Sequence, residues 1–326
     1  MKAILFKESG GPESLFIGEW NKPMPTENEI LIKVAATALN RADLLQREGK
    51  YPPPEGASPI LGLEVSGQVE ACGANVSRWK AGDLVFGLLP GGGYAEYAVI
   101  HEAMAMAVPD NLNLTEAAAI PEVYLTAFQA LSWLACIQTG EKVLIHAGGS
   151  GVGTAAIQLS REMGASDIIV TASPAKHALC HELGARLSID YRQQDFEEII
   201  REKGGVDVVI DFIAAPYFKK NINCLRTDGR LVLLAVLGGG KVEDFNLVKL
   251  LGKRIQITAS TLRSRSRDYQ IKLTRSFEKF ALPLLADGTL KPIIDTIYPW
   301  EEVTKAHQRM ESNQNAGKIV LSLDGN

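Results

Sequence analysis

Apolar positions change rhythm once along this chain, near residue 122. Before that point they recur at every second place, as in strands with one buried face. Ile30, Ile32 and Val34 set the pattern, and residues 65–69, 83–86 and 94–99 repeat it between Gly, Pro and Asn turns. The spacing predicts an irregular β-rich domain with one short helix from Arg41 to Glu48. From Thr115 the pattern turns helical in TEAAAIPEVYLTAFQALSWL. Pro121 divides that stretch in two, because proline has no N–H to give the helix.

Continuous apolar runs then follow at Val143–His146, Ile168–Ala172, Arg186–Ile189, Val206–Ile210, Leu231–Ala235 and Ile255–Ala259. Amphipathic stretches of helical length separate most of them, among them Gly151–Met163, Pro174–Leu183 and Tyr217–Leu225. Six such runs alternating with helices imply an α/β domain, a parallel sheet covered on both faces. Six is also the strand number of a doubly wound dinucleotide-binding fold. A long helix over 268–286, a strand at 293–297, a helix around 301–311 and a strand at 318–323 come last. These last strands fall outside the six and are expected to return to the first domain.

Composition narrows the classes. The chain has 326 residues, enough for two domains, with 46% hydrophobic and 22% charged residues, the balance of a globular enzyme. Lys and Arg number 34 against 38 Asp and Glu, a net charge of −4 that gives no footprint for nucleic acid. No leader-like apolar core opens the chain, and no run approaches the roughly 18 apolar residues of a membrane helix. A cytoplasmic protein without a membrane partner is the expectation. Cys72, Cys136, Cys180 and Cys224 are scattered, so neither a disulfide framework nor a zinc knot is expected.

The strongest local signal is KVLIHAGGSGVGTAAIQL. A strand runs into a bend of small residues, Gly148, Ser150, Gly151, Val152 and Gly153, and a helix follows at once. Small residues let the backbone approach a pyrophosphate, and the helix N-terminus favours its charge. Ser150 stands where the G-x-G-x-x-G fingerprint has its second glycine. An NAD site usually carries a carboxylate at the end of the next strand. Here that place reads Thr171-Ala172-Ser173-Pro174-Ala175-Lys176. Ser173 and Lys176 suit a 2′-phosphate, which points to NADPH.

With those residues in place, the chain resembles the quinone oxidoreductase (zeta-crystallin-like) branch of the medium-chain dehydrogenase/reductase superfamily. Within it, the tumour-suppressor-inducible type of quinone oxidoreductase is the nearest subgroup. The shared stretches include GGPESL, ALNRADLLQREGKYPPPEGASPILGLEVSG, LLPGGGYAEY, AAAIPEVYLTAFQAL, HAGGSGVGTAAIQL, TLRSRSRD and NAGKIVL. The resemblance implies a GroES-like catalytic domain from residues 1–122 and 266–326, and a Rossmann domain over 123–265. It implies a homodimer joined through the Rossmann sheets. Zinc-dependent members carry a cysteine ligand and a G-H-E motif where this chain has Asn40 and Leu61-Gly62-Leu63-Glu64, so no metal is expected.

The resemblance also assigns candidate residues. Asn40 and Tyr51 would stand by the nicotinamide and the acceptor. By it Thr126 and Asn315 would contact the coenzyme and Tyr191 its 2′-phosphate, while Ile213, Gly238, Gly239, Thr261 and Leu262 are expected near the coenzyme because they follow the fourth, fifth and sixth strands. Residue chemistry leaves alternatives beside several of these. Asn40 also fits a helix cap with Asp43 three positions on, and Tyr51 a turn stiffened by Pro52, Pro53 and Pro54. Glu64 among apolar neighbours calls for an ion-pair partner. His177, Cys180 and His181 read as a solvated helix face. Arg263, Arg265 and Arg267 read as an exposed loop or a cleft rim. The expected reaction is hydride delivery to a quinone. An enone, 2-alkenal or enoyl-thioester acceptor is the alternative, and a nucleotide-bound crystallin-like structural or RNA-binding protein the reading from another class.

Overall fold

The computed structural model, which describes residues 1–323, forms two compact units. One runs over Met1–Leu125 and resumes at Arg263; the other is Thr126–Leu262.

The second unit holds a six-stranded, all-parallel sheet. Its strands in chain order are Lys142–Ile145, Asp167–Ala172, Leu187–Asp190, Val206–Asp211, Leu225–Leu233 and Gln256–Ala259. In space they lie 3-2-1-4-5-6, the doubly wound order that reverses direction between the first and fourth strands. The runs expected from the apolar pattern are these strands; in the inner ones both faces are covered and most positions favour an apolar residue, whereas the edge strand Gln256–Ala259 is largely exposed. Leu144, Ile169, Ile189, Val209, Ile222 and Leu231 share its core.

The first unit is built on a seven-stranded sheet around the long strand Glu29–Ala38. Glu64–Cys72 pairs along one edge of that strand. Tyr97–His101 and then Lys318–Ser322 pair in succession along the other. Ile294–Pro299 lies parallel to Lys318–Ser322, so the last strands do return to this unit. Alternation understates the burial of Glu29–Ala38. Leu31 and Ala35, on the face away from Ile30, Ile32 and Val34, are buried as well, and Lys33 alone is exposed. The strand is flanked on both edges, and the helix Leu114–Ala118 packs on it. The hairpin Lys2–Phe6 with Leu15–Glu19 and the strand Ala105–Ala107 were not expected from the pattern.

Candidate active site

Strand register places the central cluster of the first unit. Val320 lies opposite Ala38 and Val65 opposite Thr37. Lys318 and Glu64 therefore come up on either side of the chain just past Ala38, where Asn40 opens the helix Arg41–Arg47. Lys318 Nζ donates to Glu64 Oε1 at 2.7 Å, to Asn40 Oδ1 at 2.8 Å and to Leu39 O at 2.7 Å. Asn40 Nδ2 donates to the same Glu64 oxygen at 2.7 Å and to Ala38 O at 3.3 Å. The amide has one orientation that satisfies both neighbours, its oxygen toward the ammonium and its nitrogen toward the carboxylate. The partner expected for Glu64 is thus Lys318. Both side chains are buried, which makes the pair costly to break.

The cap expected at Asn40 is also present, made by Asp43. Its carboxylate accepts from Asn40 N–H at 2.8 Å and Gly62 N–H at 3.1 Å. Burial raises the Asp43 carboxyl to about 6 despite those bonds. Behind it lies a relay of buried rings. Arg47 Nη1 donates to His307 Nδ1 at 3.0 Å, which leaves the His307 proton on Nε2, 3.3 Å from Tyr94 Oη. Tyr94 donates to Asp43 at 3.4 Å. Burial, and then the Arg47 charge, push His307 down to about 3.

Glu122 is the residue that sequence reasoning passed over. It is the second residue of the helix Pro121–Phe128, and its N–H donates to Glu64 Oε2 at 2.8 Å. Its own carboxyl is partly buried and makes no hydrogen bond or ion pair among the described residues. Burial first and the Glu64 charge second raise it to about 8. Tyr51 and Arg263 stand within electrostatic reach of it. Tyr51 is partly buried, with the Arg263 guanidinium 5.4 Å from its ring centre, and burial raises its phenol. Arg263 is not on an exposed loop. It is 7% exposed, donating to Pro90 O and Gln46 Oε1 at 2.8 Å each, while its Nη1 is buried without a partner. Arg265 is partly buried and Arg267 exposed.

In the second unit, the bend after the first strand is a close fit. A Cβ on Gly153 would lie 2.3 Å from Ala147 O, and one on Gly148 would lie 2.7 Å from the Val170 side chain. Ser150 caps the helix Gly151–Glu162, its Oγ accepting from Gly153 N–H at 3.0 Å, so its hydroxyl proton is free to donate outward. The N–H groups of Gly151 and Val152 have no carbonyl of the helix to pair with. The Lys176 stem crosses Gly149 so closely that a Cβ there would meet it at 2.5 Å. The bend, with the Lys176 stem laid across it, could hold a pyrophosphate. Ser173 is partly exposed just past the second strand, and Tyr191 just past the third is 43% exposed.

A buried chain of hydrogen bonds ties the bend to the loop after the fourth strand. Asn221 Nδ2 donates to Asp211 at 2.9 Å, so its Oδ1 accepts from His146 Nε2 at 2.7 Å. His146 Nδ1 then accepts from Thr171 Oγ1 at 2.9 Å. Burial lowers the His146 pKa and keeps the ring neutral. Asp211 accepts from Ile213 N–H at 2.7 Å and from Ala214 N–H at 3.2 Å, which holds Ala214 at φ +68°. This loop and the small-residue bend flank the place where the strand order reverses, the usual ligand crevice of such sheets.

The other expected residues are more dispersed. Thr126 is partly buried, Thr261 exposed and Leu262 buried. Gly238 and Gly239 lie in an exposed turn. Gly238 needs no ring beside it to exclude a side chain, since a Cβ would already meet Ile213 O and Pro216 at 2.9 Å. Asn315 Nδ2 donates to Gly317 O at 2.9 Å in the first unit. His177 and His181 bond the carbonyls of Ala172 and Ala185, and Cys180 is buried. Among the described residues no group of three or more His, Cys, Asp and Glu is arranged to hold a metal ion.

Comparison with known proteins gives consistent matches. The GroES-like domain of alcohol dehydrogenases matches residues 26–110, and a zinc-binding dehydrogenase domain matches residues 183–321. Human quinone oxidoreductase is 32% identical over 336 positions, covering 99% of this chain and 98% of its own. The crystal structure of Escherichia coli quinone oxidoreductase complexed with NADPH superposes with a TM-score of 0.88 at 29% identity, covering 99% of this chain and 100% of that one. The CurK enoyl reductase superposes with a TM-score of 0.87 at 30% identity, covering 98% of each chain.

Proposed function

The chain belongs to the quinone oxidoreductase-like branch of the medium-chain dehydrogenase/reductase superfamily and is an NAD(P)-dependent oxidoreductase, and from that premise we propose that it reduces quinones with NADPH and without zinc. The observation that carries the metal-free part is the Lys318 ammonium. It binds Asn40, which stands where zinc-dependent members have their cysteine ligand, and neutralises Glu64 beside Leu63, which stands where their G-H-E motif has its histidine. An acceptor that needs little activation, such as a quinone, suits a site whose fixed cation is spent on the protein's own carboxylate.

In this reading the Thr126–Leu262 unit binds the coenzyme and the other unit handles the acceptor. Gly148 to Gly153 would hold the pyrophosphate, and Ser173, Lys176 and Tyr191 the 2′-phosphate. Ile213, Gly238 and the remaining candidates would line the nicotinamide half. Bound there, the reduced nicotinamide supplies a hydride; the protein positions the ring and excludes water. Both amide hydrogens of Asn40 are taken by Glu64 and Ala38, so Asn40 shapes the site rather than donating to a developing oxyanion. That task falls to the Tyr51 hydroxyl, which burial keeps in its donating form.

A homodimer is part of the proposal. The strand Gln256–Ala259 is an open sheet edge, and nearby Leu247, Val248 and Leu251 are 69%, 70% and 81% exposed. Four free cysteines suit a reducing compartment such as the cytoplasm. No helix among the described residues is long and apolar enough to cross a membrane.

One observation favours a second reading, an enoyl-thioester reductase. The first unit has a groove of about 390 Å³ lined by Arg263, Arg265 and Arg267 beside Ile60, Leu88 and Met104. Such a basic rim suits the phosphates of a coenzyme A ester. The test is NADPH absorbance against quinones, alkenals and enoyl-thioesters. Consumption with none of them, although coenzyme binds, would end the enzyme reading and favour a nucleotide-bound structural protein. Lys176→Glu is expected to weaken NADPH binding in calorimetry by tenfold or more beyond its effect on NADH binding, about 1.4 kcal/mol per tenfold. Equal loss for both would remove Lys176 from the 2′-phosphate site.

A further inference from the structure

Reduction of a quinone or enone needs a proton as well as a hydride; the Tyr51 phenol, raised by burial, hydrogen-bonds the developing oxyanion but holds its own proton, and the other residues singled out in the sequence have none to give. Asn40 has no spare N–H. The carboxylates of Glu64 and Asp43 are held by Lys318, Asn40, Gly62 and Tyr94. His307 is locked between Arg47 and Tyr94.

Resting on the reading above, we propose that Glu122 is the acid that protonates the reduced acceptor. Its backbone N–H is fixed on Glu64 Oε2, and Glu64 Oε1 holds Asn40. The carboxyl itself is left without a partner and only partly covered, in the neighbourhood of Tyr51 and Arg263.

The charges around it set its protonation. Glu64 on the strand Glu64–Cys72 and Asp43 on the helix Arg41–Arg47 repel a charge on Glu122. Lys318 on the strand Lys318–Ser322 and Arg263 attract one. A helix N-terminus would also favour the charged form. Desolvation and Glu64 outweigh these, and the carboxyl rises to about 8. Near pH 7 it therefore carries its proton, as a general acid must.

The step balances. Hydride from the reduced nicotinamide brings two electrons and leaves the acceptor with a negative oxygen. The Glu122 O–H bond breaks and its proton passes to that oxygen, giving a neutral quinol or enol. The Glu122 carboxylate regains a proton from water before the next turnover. One hydride and one proton are consumed per acceptor.

The experiment compares the full-length wild type with Glu122→Gln and Glu122→Asp. Turnover with NADPH and a quinone and an enone is followed from about pH 6 to about pH 10, two units either side of the carboxyl's value. Infrared titration of the protonated-carboxyl stretch is run alongside without coenzyme. Wild-type kcat should fall about tenfold per pH unit above about 8, as the acid form is lost. Glu122→Gln should lose at least about tenfold and show no such limb; general acids contribute about 10²–10⁴, and water replaces part of that here. Glu122→Asp should restore part of the rate together with a limb. A carboxyl band titrating near 8 in the wild type should be missing from Glu122→Gln, whose melting temperature and NADPH affinity stay unchanged.

The donor role is overturned if the wild type turns over and Glu122→Gln matches it within about twofold, if the alkaline limb survives in Glu122→Gln, or if no carboxyl titrates near 8. A wild type that consumes no NADPH with any quinone or enone removes the functional reading and the donor role together. That pattern differs from the failure of Glu122 alone.

Discussion

Lys318→Met tests the ion cluster directly. The Lys318 ammonium makes three hydrogen bonds, at 2.7, 2.8 and 2.7 Å, and is 4% exposed against 0% for Glu64. Methionine fills much the same volume, so the change removes charge rather than packing. It leaves the Glu64 carboxylate buried with neutral donors alone, Asn40 Nδ2 and the Glu122 N–H. Removing one partner of a buried pair costs about 3–5 kcal/mol. At roughly 2–4 °C per kcal/mol for a domain of this size, the melting temperature should fall by about 6–20 °C. Adding Glu64→Gln removes the stranded charge and keeps an amide oxygen able to accept from Asn40 or Glu122. The double variant should therefore recover to within about 1–2 kcal/mol of the wild type. Urea unfolding of all four members of the cycle is the assay. Because the pair is buried, added salt should hardly alter the differences. A single-variant loss under about 1 kcal/mol, or a double variant less stable than the single, would refute the charge argument.

Two further outcomes are expected. Asn221→Leu strands His146 Nε2–H and leaves Asp211 Oδ2 with the Ala214 N–H as its donor; at about 1–3 kcal/mol per orphaned group it should destabilise by about 1–3 kcal/mol in urea and weaken NADPH binding through the 212–214 loop, and unchanged stability would dissolve the chain of bonds. His307 is held at about 3 in the fold against 6.5 ordinarily, so the unfolded chain takes up its proton first and stability drains as pH falls from 6.5 toward 3, by up to about 1.4 kcal/mol per unit. Asp43, raised to about 6 from 3.8, acts the opposite way, adding stability in acid that is lost as pH rises through about 6. His307→Gln should therefore lose less stability than the wild type between pH 7 and pH about 4.5, and an identical loss in urea unfolding at the two pH values would contradict that assignment.

The inner strands of the parallel sheet were readable because burial on both faces leaves an apolar mark on the sequence, and the largely exposed edge strand Gln256–Ala259 was readable by its apolar run alone. The hairpin Lys2–Phe6 with Leu15–Glu19 is partly exposed and lacks that mark. The small-residue bend was readable for a different reason, since a side chain at Gly153 would meet the Ala147 carbonyl and one at Gly148 the Val170 side chain. Glu64 announced that it needed a partner but not which one. The answer, Lys318, stands 254 residues away, and strand register alone brings the two together. Glu122 was hidden in plain view. An acid in the first turn of a helix reads as an ordinary dipole partner, and its neighbourhood exists only after Glu64, Tyr51 and Arg263 have converged. The His146 chain has the same character, joining positions 146, 171, 211 and 221 with no motif to connect them.

The return of Lys318–Ser322 to the long strand Glu29–Ala38 has a consequence for biosynthesis. On the ribosome, Glu64 emerges long before the ammonium that will neutralise it. The 126–262 segment, by contrast, is continuous and can complete its sheet while translation still proceeds. The earlier-made sheet must wait, the Ala36–Ala38 end of its longest strand unpaired on one flank, until Lys318–Ser322 has been made. That interval exposes an apolar edge to other nascent chains, and a chaperone would find its task there rather than in the nucleotide fold.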